Sequence, residues 1–143
     1  MRPIYQSTTD LKNEDVVAAQ AAEVWGMEEC KIPNPLYRID RAFMLGGKVR
    51  CLAEVKCRTC PMNAYKTYML GAQKYGSMVM AANFLGMPVK LIVRWGCGTV
   101  GALTVPFRFD VRVGGRNDRG DSKDTELTIH TPIEDFELIA CRI

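Results

Sequence analysis

Two adjacent glycines, Gly46 and Gly47, separate two stretches rich in strand-forming residues. The first, residues 36–45, reads Leu-Tyr-Arg-Ile-Asp-Arg-Ala-Phe-Met-Leu. The second, residues 49–57, reads Val-Arg-Cys-Leu-Ala-Glu-Val-Lys-Cys. A glycine pair accepts the positive φ that tight hairpin turns demand, so the two stretches are expected to fold back on each other as antiparallel strands. Alternation then sorts the second strand. Ala53, Val55 and Cys57 point to one face, which needs an apolar layer against it, and Glu54 and Lys56 point to the other.

Around this hairpin the sequence predicts further elements. Thr8, Thr9 and Asp10 are helix-start residues. Asn13-Glu14-Asp15 places negative charge on a first turn, and Val17, Ala21 and Val24 recur at helical spacing up to Trp25 and Gly26. Pro33 and Pro35 interrupt regular structure. Pro61 is expected to open a long helix reaching Leu85, with Tyr65, Tyr68, Met69, Ala72, Met78, Val79 and Ala82 on its apolar positions, ended by Gly86 and Pro88. Residues 89–95 read as an interior strand. Two more strands are expected at 99–105 and 107–113, a polar loop from Gly114 to Asp124, a last strand at 126–129, and a helical turn at 132–136. The order is that of a mixed α/β fold, a sheet with helices on its faces.

At 143 residues the chain suits one domain, residues 1–143, able to bury a single core. With 48% hydrophobic and 24% charged residues it does not have the composition of a disordered or collagen-like chain. No apolar run approaches the roughly 18 residues that span a bilayer, so no membrane partner is expected. Residues 1–6 lack the apolar stretch of a signal peptide, so a cytoplasmic setting with free thiols is expected. The net charge of +3 is compatible with a polyanionic partner without requiring one.

Asp40 joins Glu54 and Lys56 in the candidate chemistry. Two carboxylates with an ammonium beside them make a hard-oxygen metal site. The hairpin register decides whether they meet. A two-residue loop pairs Leu45 with Lys48 and Asp40 with Ala53, which sends Asp40 and Glu54 to opposite faces. A three-residue loop pairs Leu45 with Val49 and sets Asp40 opposite Glu54 and Arg38 opposite Lys56. A shared site therefore demands the longer loop or a bulge.

Asp40 followed by Glu54-Val55-Lys56 resembles the PD-(D/E)XK nuclease pattern over about residues 14–95. Among its members the small phage and archaeal Holliday-junction resolvases look closest, since they add a glutamate from the first helix, where Glu23 sits. The residue before Asp40 is Ile39, not the proline of the motif's name, which many members lack. The resemblance implies a restriction-endonuclease-like αβββαβ core with extra C-terminal strands, and metal-dependent hydrolysis of DNA phosphodiesters. It implies Mg²⁺ or Mn²⁺ on Asp40, Glu54, the carbonyl of Val55 and Glu23, with Lys56 orienting the attacking water. It also implies a phage-encoded enzyme selective for branched or single-strand-containing DNA, acting as a homodimer if it resolves junctions. Arg38, Arg41, Arg58, Lys74, Arg116 and Arg119 are the candidate phosphate contacts.

Three other readings of the same residues stand beside this one. Asp40, Glu54 and Lys56 would also serve as a cross-strand ion pair on a solvated sheet face. The chain would also suit a nucleic-acid-binding protein without activity. Cys57-Arg58-Thr59-Cys60 is a CxxC, which points to a zinc or thiol protein. However, Cys30, Cys51, Cys97, Cys141 and His130 are scattered singly and supply no second ligand pair.

Overall fold

The computed structural model describes residues 8–32, 39–115 and 125–140. Helix α1 (Thr8–Trp25) comes first, followed by strands β1 (Glu28–Lys31), β2 (Arg41–Leu45) and β3 (Lys48–Cys57). A 3₁₀ turn at Met62–Ala64 leads into β4 (Thr67–Gly71) and helix α2 (Ala72–Leu85). Strands β5 (Val89–Arg94), β6 (Val100–Thr104), β7 (Asp110–Gly115), β8 (Thr125–Pro132) and β9 (Glu137–Ala140) complete the chain.

Six strands form one sheet in the order β1-β2-β3-β5-β6-β9. Only β3 and β5 run parallel, so the sheet is mixed. The parallel step needs a crossover, which the chain makes through β4 and α2. The remaining strands form a separate antiparallel sheet, β4-β8-β7. Two cores follow from this layering. On one face of the large sheet, Val17, Ala18 and Ala21 of α1 pack on Phe43, Ala53, Val55 and Ile92. On the other, Leu52, Leu91 and Val93 pack against Met78 of α2 and against Tyr68, Leu70 and Ile129 of the small sheet. β3 is thus covered on both sides, and residues 51–55 are all buried.

The hairpin solves its register with a bulge. Gly46 and Gly47 form a two-residue turn with φ of 61° and 77°, and Leu45 pairs with Lys48. Met44 then pairs with Val49 but Phe43 with Cys51, so Arg50 is the extra residue. That single insertion reverses the phase of everything beyond it. Arg41 pairs with Ala53, and Asp40, one step further, falls on the face that Glu54 shares.

Several expectations are corrected. The helix foreseen from Pro61 begins only at Ala72. The segment before it is a strand, because Tyr68 and Leu70 are buried while Met69 between them is exposed, a period of two and not of 3.6. β1 and β9 were not foreseen: both are short edge strands whose mixed polarity gives no alternation. β1 is the third strand that the αβββαβ pattern requires. Phe107 and Phe109 precede β7 and stack on Tyr75 with ring centroids 4.9 and 4.8 Å away, which accounts for their apolar spacing without a strand.

A Cβ at Gly47 would meet no atom within 4 Å, so the demand there is conformational alone. Gly47→Val should therefore lower the free energy of unfolding by roughly 1–2 kcal/mol. The check is a lower urea midpoint at an unchanged m-value. An unshifted midpoint would contradict the left-handed turn.

Candidate active site

The far end of β3 holds the candidate chemistry. Glu54 projects between Asp40 and the β5 neighbour Leu91, in the interior between the large sheet and α2. Its side chain is 3% exposed. Oε1 accepts from two ammonium groups, Lys56 Nζ at 3.4 Å and Lys74 Nζ at 3.3 Å. Oε2 is buried and has no hydrogen-bond partner. Asp40 Oδ2 accepts a hydrogen bond from the backbone N–H of Val55 at 3.2 Å. That bond fixes the Asp40 carboxylate across the strand pair, next to the Val55 peptide.

Electrostatics follow from this burial. Burial, reinforced by the charge of Asp40, pushes the Glu54 carboxyl above the usual carboxylate range, against the opposing pull of Lys56 and Lys74. Burial alone would lower the Lys56 ammonium, but Glu54, Tyr68 and Asp40 outweigh it and raise it, so Lys56 is charged at neutral pH. Lys74 lies in the first turn of α2, where a cation opposes the helix dipole. Its ion pair with Glu54 offsets that misplacement.

The donors suit a hard divalent cation. Two carboxylates and a peptide carbonyl are oxygen ligands of the kind Mg²⁺ and Mn²⁺ take. A buried carboxylate oxygen without a partner carries a desolvation cost that such an ion removes. Among the described residues no group of three or more His, Cys, Asp or Glu is arranged to hold a metal. The site offers two carboxylates and a carbonyl, fewer than three such side chains, and the described cysteines form no zinc cluster. No disulfide joins the described cysteines.

The remaining sequence candidates divide clearly. Glu23 is exposed and is not brought to the site. Asp15, midway along α1, bonds Arg41 beside Asp40, while Trp25 at the helix's C-terminal end packs on Phe43 toward the hairpin turn. Glu23 therefore lies roughly 12 Å further along the helix axis than Asp15. The buried carboxylate of α1 is Glu14, 8% exposed, in phase with Val17, Ala18 and Ala21. That phase is readable in the sequence, where Glu14 stands three residues before Val17 and seven before Ala21.

Arg41 is not a phosphate contact. It is 2% exposed and bonded to Asp15 of α1 and, at 3.2 Å, to Glu29 of β1. It ties three elements together immediately beside Asp40. Arg58 is exposed, yet its Nη2 donates inward to the Tyr68 hydroxyl at 3.0 Å and to the Met69 carbonyl at 3.1 Å. Arg38, Arg116 and Arg119 lie outside the described residues.

With the geometry in place, comparison gives the class and then the family. The fold is that of a PD-(D/E)XK-type nuclease. It is similar to the 1.6 Å structure of Archaeoglobus fulgidus Hjc, a Holliday junction resolvase from an archaeal hyperthermophile, with a TM-score of 0.61 at 13% identity over 90% of this chain and 88% of that one. The family described as "Phage putative PDDEXK endonuclease" matches residues 1–139, and the chain belongs to it. No curated protein matches the chain.

The raised Glu54 carboxyl has a sign that can be tested. Its protonated form is favoured in the folded state, so its stabilising contribution is present in acid and is lost as pH rises from the unfolded value through the raised folded one. Glu54→Gln should therefore melt above the wild type at pH 7 in chelator, and the gap should close toward pH 4. A variant that melts lower at pH 7 would contradict a carboxylate whose burial outweighs its two lysine partners.

Proposed function

We propose that this endonuclease hydrolyses DNA phosphodiesters with a divalent metal, Mg²⁺ or Mn²⁺, held by Asp40, Glu54 and the Val55 carbonyl. The observation that carries this reading is Glu54 Oε2, buried and unpartnered beside Asp40. When bound, the ion supplies Lewis-acid charge at the scissile phosphate and lowers the pKa of a coordinated water. Asp40 is pre-aligned by the Val55 N–H, so it meets its ligand without reorganising. Lys56, anchored on Glu54 Oε1 and 38% exposed, has N–H donors left for the attacking water or for the negative charge that develops on the phosphate.

Lys74 and Arg58 border the same end of β3 and supply positive charge for the flanking phosphates. The preferred substrate is branched or single-strand-containing DNA. Among the described residues the connections are short and leave little surface to read base edges, and the resolvase Hjc has a similar fold. Cutting both strands of a junction calls for two copies related by a twofold axis, so the junction-cutting species is a homodimer.

A digestion panel of single-stranded, duplex, flapped and four-way DNA tests this, with Mg²⁺, Mn²⁺ or EDTA. Metal-dependent cutting of branched DNA is expected, and EDTA should abolish it. Asp40→Asn and Glu54→Gln should abolish cutting while the fold melts cooperatively. Lys56→Ala should slow the single-turnover rate on the order of a hundredfold to a thousandfold with DNA affinity nearly unchanged. Metal-independent cutting, or carboxylate variants of full activity, would overturn the assignment; tight DNA binding with no cutting under any condition would favour a binding protein.

A further inference from the structure

Strand β7 bounds one side of the small sheet, and among the described residues it pairs with β8 alone. Its outer row of N–H and C=O groups meets no other described strand. The side chains along it fall into two rows. Val111 and Val113 lie on the face that carries their β8 partners Ile129 and Leu127. Ile129 belongs to the core, but the sheet runs on past it, and Val111, Val113 and Leu127 are exposed. Phe109, just before β7 and in the same phase, stacks on Tyr75 of α2 with ring centroids 4.8 Å apart. Asp110 and Arg112 are exposed on the opposite face. Edge strands are commonly blunted by charge. β1, at an edge of the large sheet, reads Glu-Glu-Cys-Lys, whereas β7 alternates valines with one charge of each sign.

We propose that β7 is the homodimer interface, pairing antiparallel with β7 of a second copy about a twofold axis that runs through Val111 perpendicular to the small sheet. Such an axis keeps like faces together, so it must pass through a residue and not between two. Charge decides which residue. An axis at Asp110 sets that carboxylate against its own copy and Arg108 against the partner's Arg112. An axis at Arg112 sets two guanidiniums together. An axis at Val111 sets Asp110 opposite the partner's Arg112, twice, and Val113 opposite the partner's Phe109. Facing cross-strand charges stabilise when opposite and destabilise when alike, so of these three registers only the last is self-complementary. In it the two Val111 side chains meet, Val113 covers the Phe109–Tyr75 stack of the other copy, and apolar area that one copy leaves in water is buried. The two small sheets become one sheet of six strands. Both large sheets, with their Glu54 sites, then lie on the same side of it.

This inference deepens the homodimer of the proposed function and rests on that reading for its link to paired cutting; the interface itself is measured without DNA. The full chain is followed by sedimentation over a concentration series, with a melting curve for each variant. The wild type should dimerise. In Asp110→Arg each facing pair becomes two cations, and in Arg112→Asp two anions, so either variant alone should associate about a hundredfold more weakly. Mixed in equal amounts, the two variants should form a heterodimer as tight as the wild-type dimer, because every cation then faces an anion. Asp110→Arg/Arg112→Asp in one chain should restore the homodimer for the same reason.

A wild type that stays monomeric overturns the inference. So does a dimer unmoved by either single substitution, and so do single variants that dissociate but are not restored by mixing. Should a charge variant lose its cooperative melt, Val111→Lys decides in its place: it sets two ammonium groups on the axis at an exposed position, so a folded monomer supports the interface and a tight dimer overturns it. The nuclease reading is tested separately. A protein that dimerises through β7 and cuts no DNA loses that reading and keeps the interface, and a monomer that cuts four-way DNA does the reverse.

Discussion

Burying one carboxylate inside a strand that is covered on both faces is the constraint on which the site depends. Ala53, Val55, Leu91 and Ile92 around Glu54 are fully buried, and the apolar area they remove from water supports the strand that carries the charge. An ionised carboxylate in such surroundings destabilises the fold unless it is paired. Lys56 and Lys74 pair one of its oxygens and leave the other. The core holds the carboxylate rigidly, and the incomplete pairing leaves one buried oxygen without a hydrogen-bond partner. Rigidity and unmet charge are together what a preorganised metal ligand requires.

The pieces that complete the site come from elements far apart in sequence, each placed by a packing requirement of its own. The bulge at Arg50 turns Asp40 to the face of Glu54. The buried Arg41, tied to Asp15 and Glu29, fixes α1 and β1 against the strand on which Asp40 sits. α2 packs its apolar face on the large and small sheets, and its first turn delivers Lys74. β4 joins the small sheet through β8 and lays Tyr68 and Leu70 into the core, so the small sheet covers the face of the large sheet on which Glu54 sits.

The hairpin, the buried strand at 89–94 and the sharing of a face by Glu54 and Lys56 were legible in the sequence, because each rests on alternation or on glycine geometry. The condition for Asp40 to join them was legible too, as a choice between a longer loop and a bulge; the sequence left the choice open because glycines serve either turn. Residues 65–72 misled because Tyr65, Tyr68, Met69 and Ala72 also satisfy the helical spacing, and only the small sheet's need for a third strand decides against it. Glu23 and Arg41 misled in opposite directions. The resemblance draws Glu23 into the site, while the fold leaves it exposed and reserves the inward phase of α1 for Glu14; Arg41 reads as a surface phosphate contact, while the fold buries it in an ion-pair network. Lys74 stands among the candidate phosphate contacts, and its pairing with Glu54 is visible only once α2 is packed.

The central claim is that Asp40 and Glu54 form one cation site, and the anomalous scattering of manganese tests it most directly. A crystal of the protein grown with Mn²⁺ should show one strong anomalous peak between the two carboxylates, about 2.0–2.3 Å from Glu54 Oε2, from an Asp40 oxygen and from the Val55 carbonyl. The peak should vanish in Glu54→Gln. A peak at the cysteines of the β3 end, or density at Glu54 unchanged by manganese at saturating concentration, would contradict the claim.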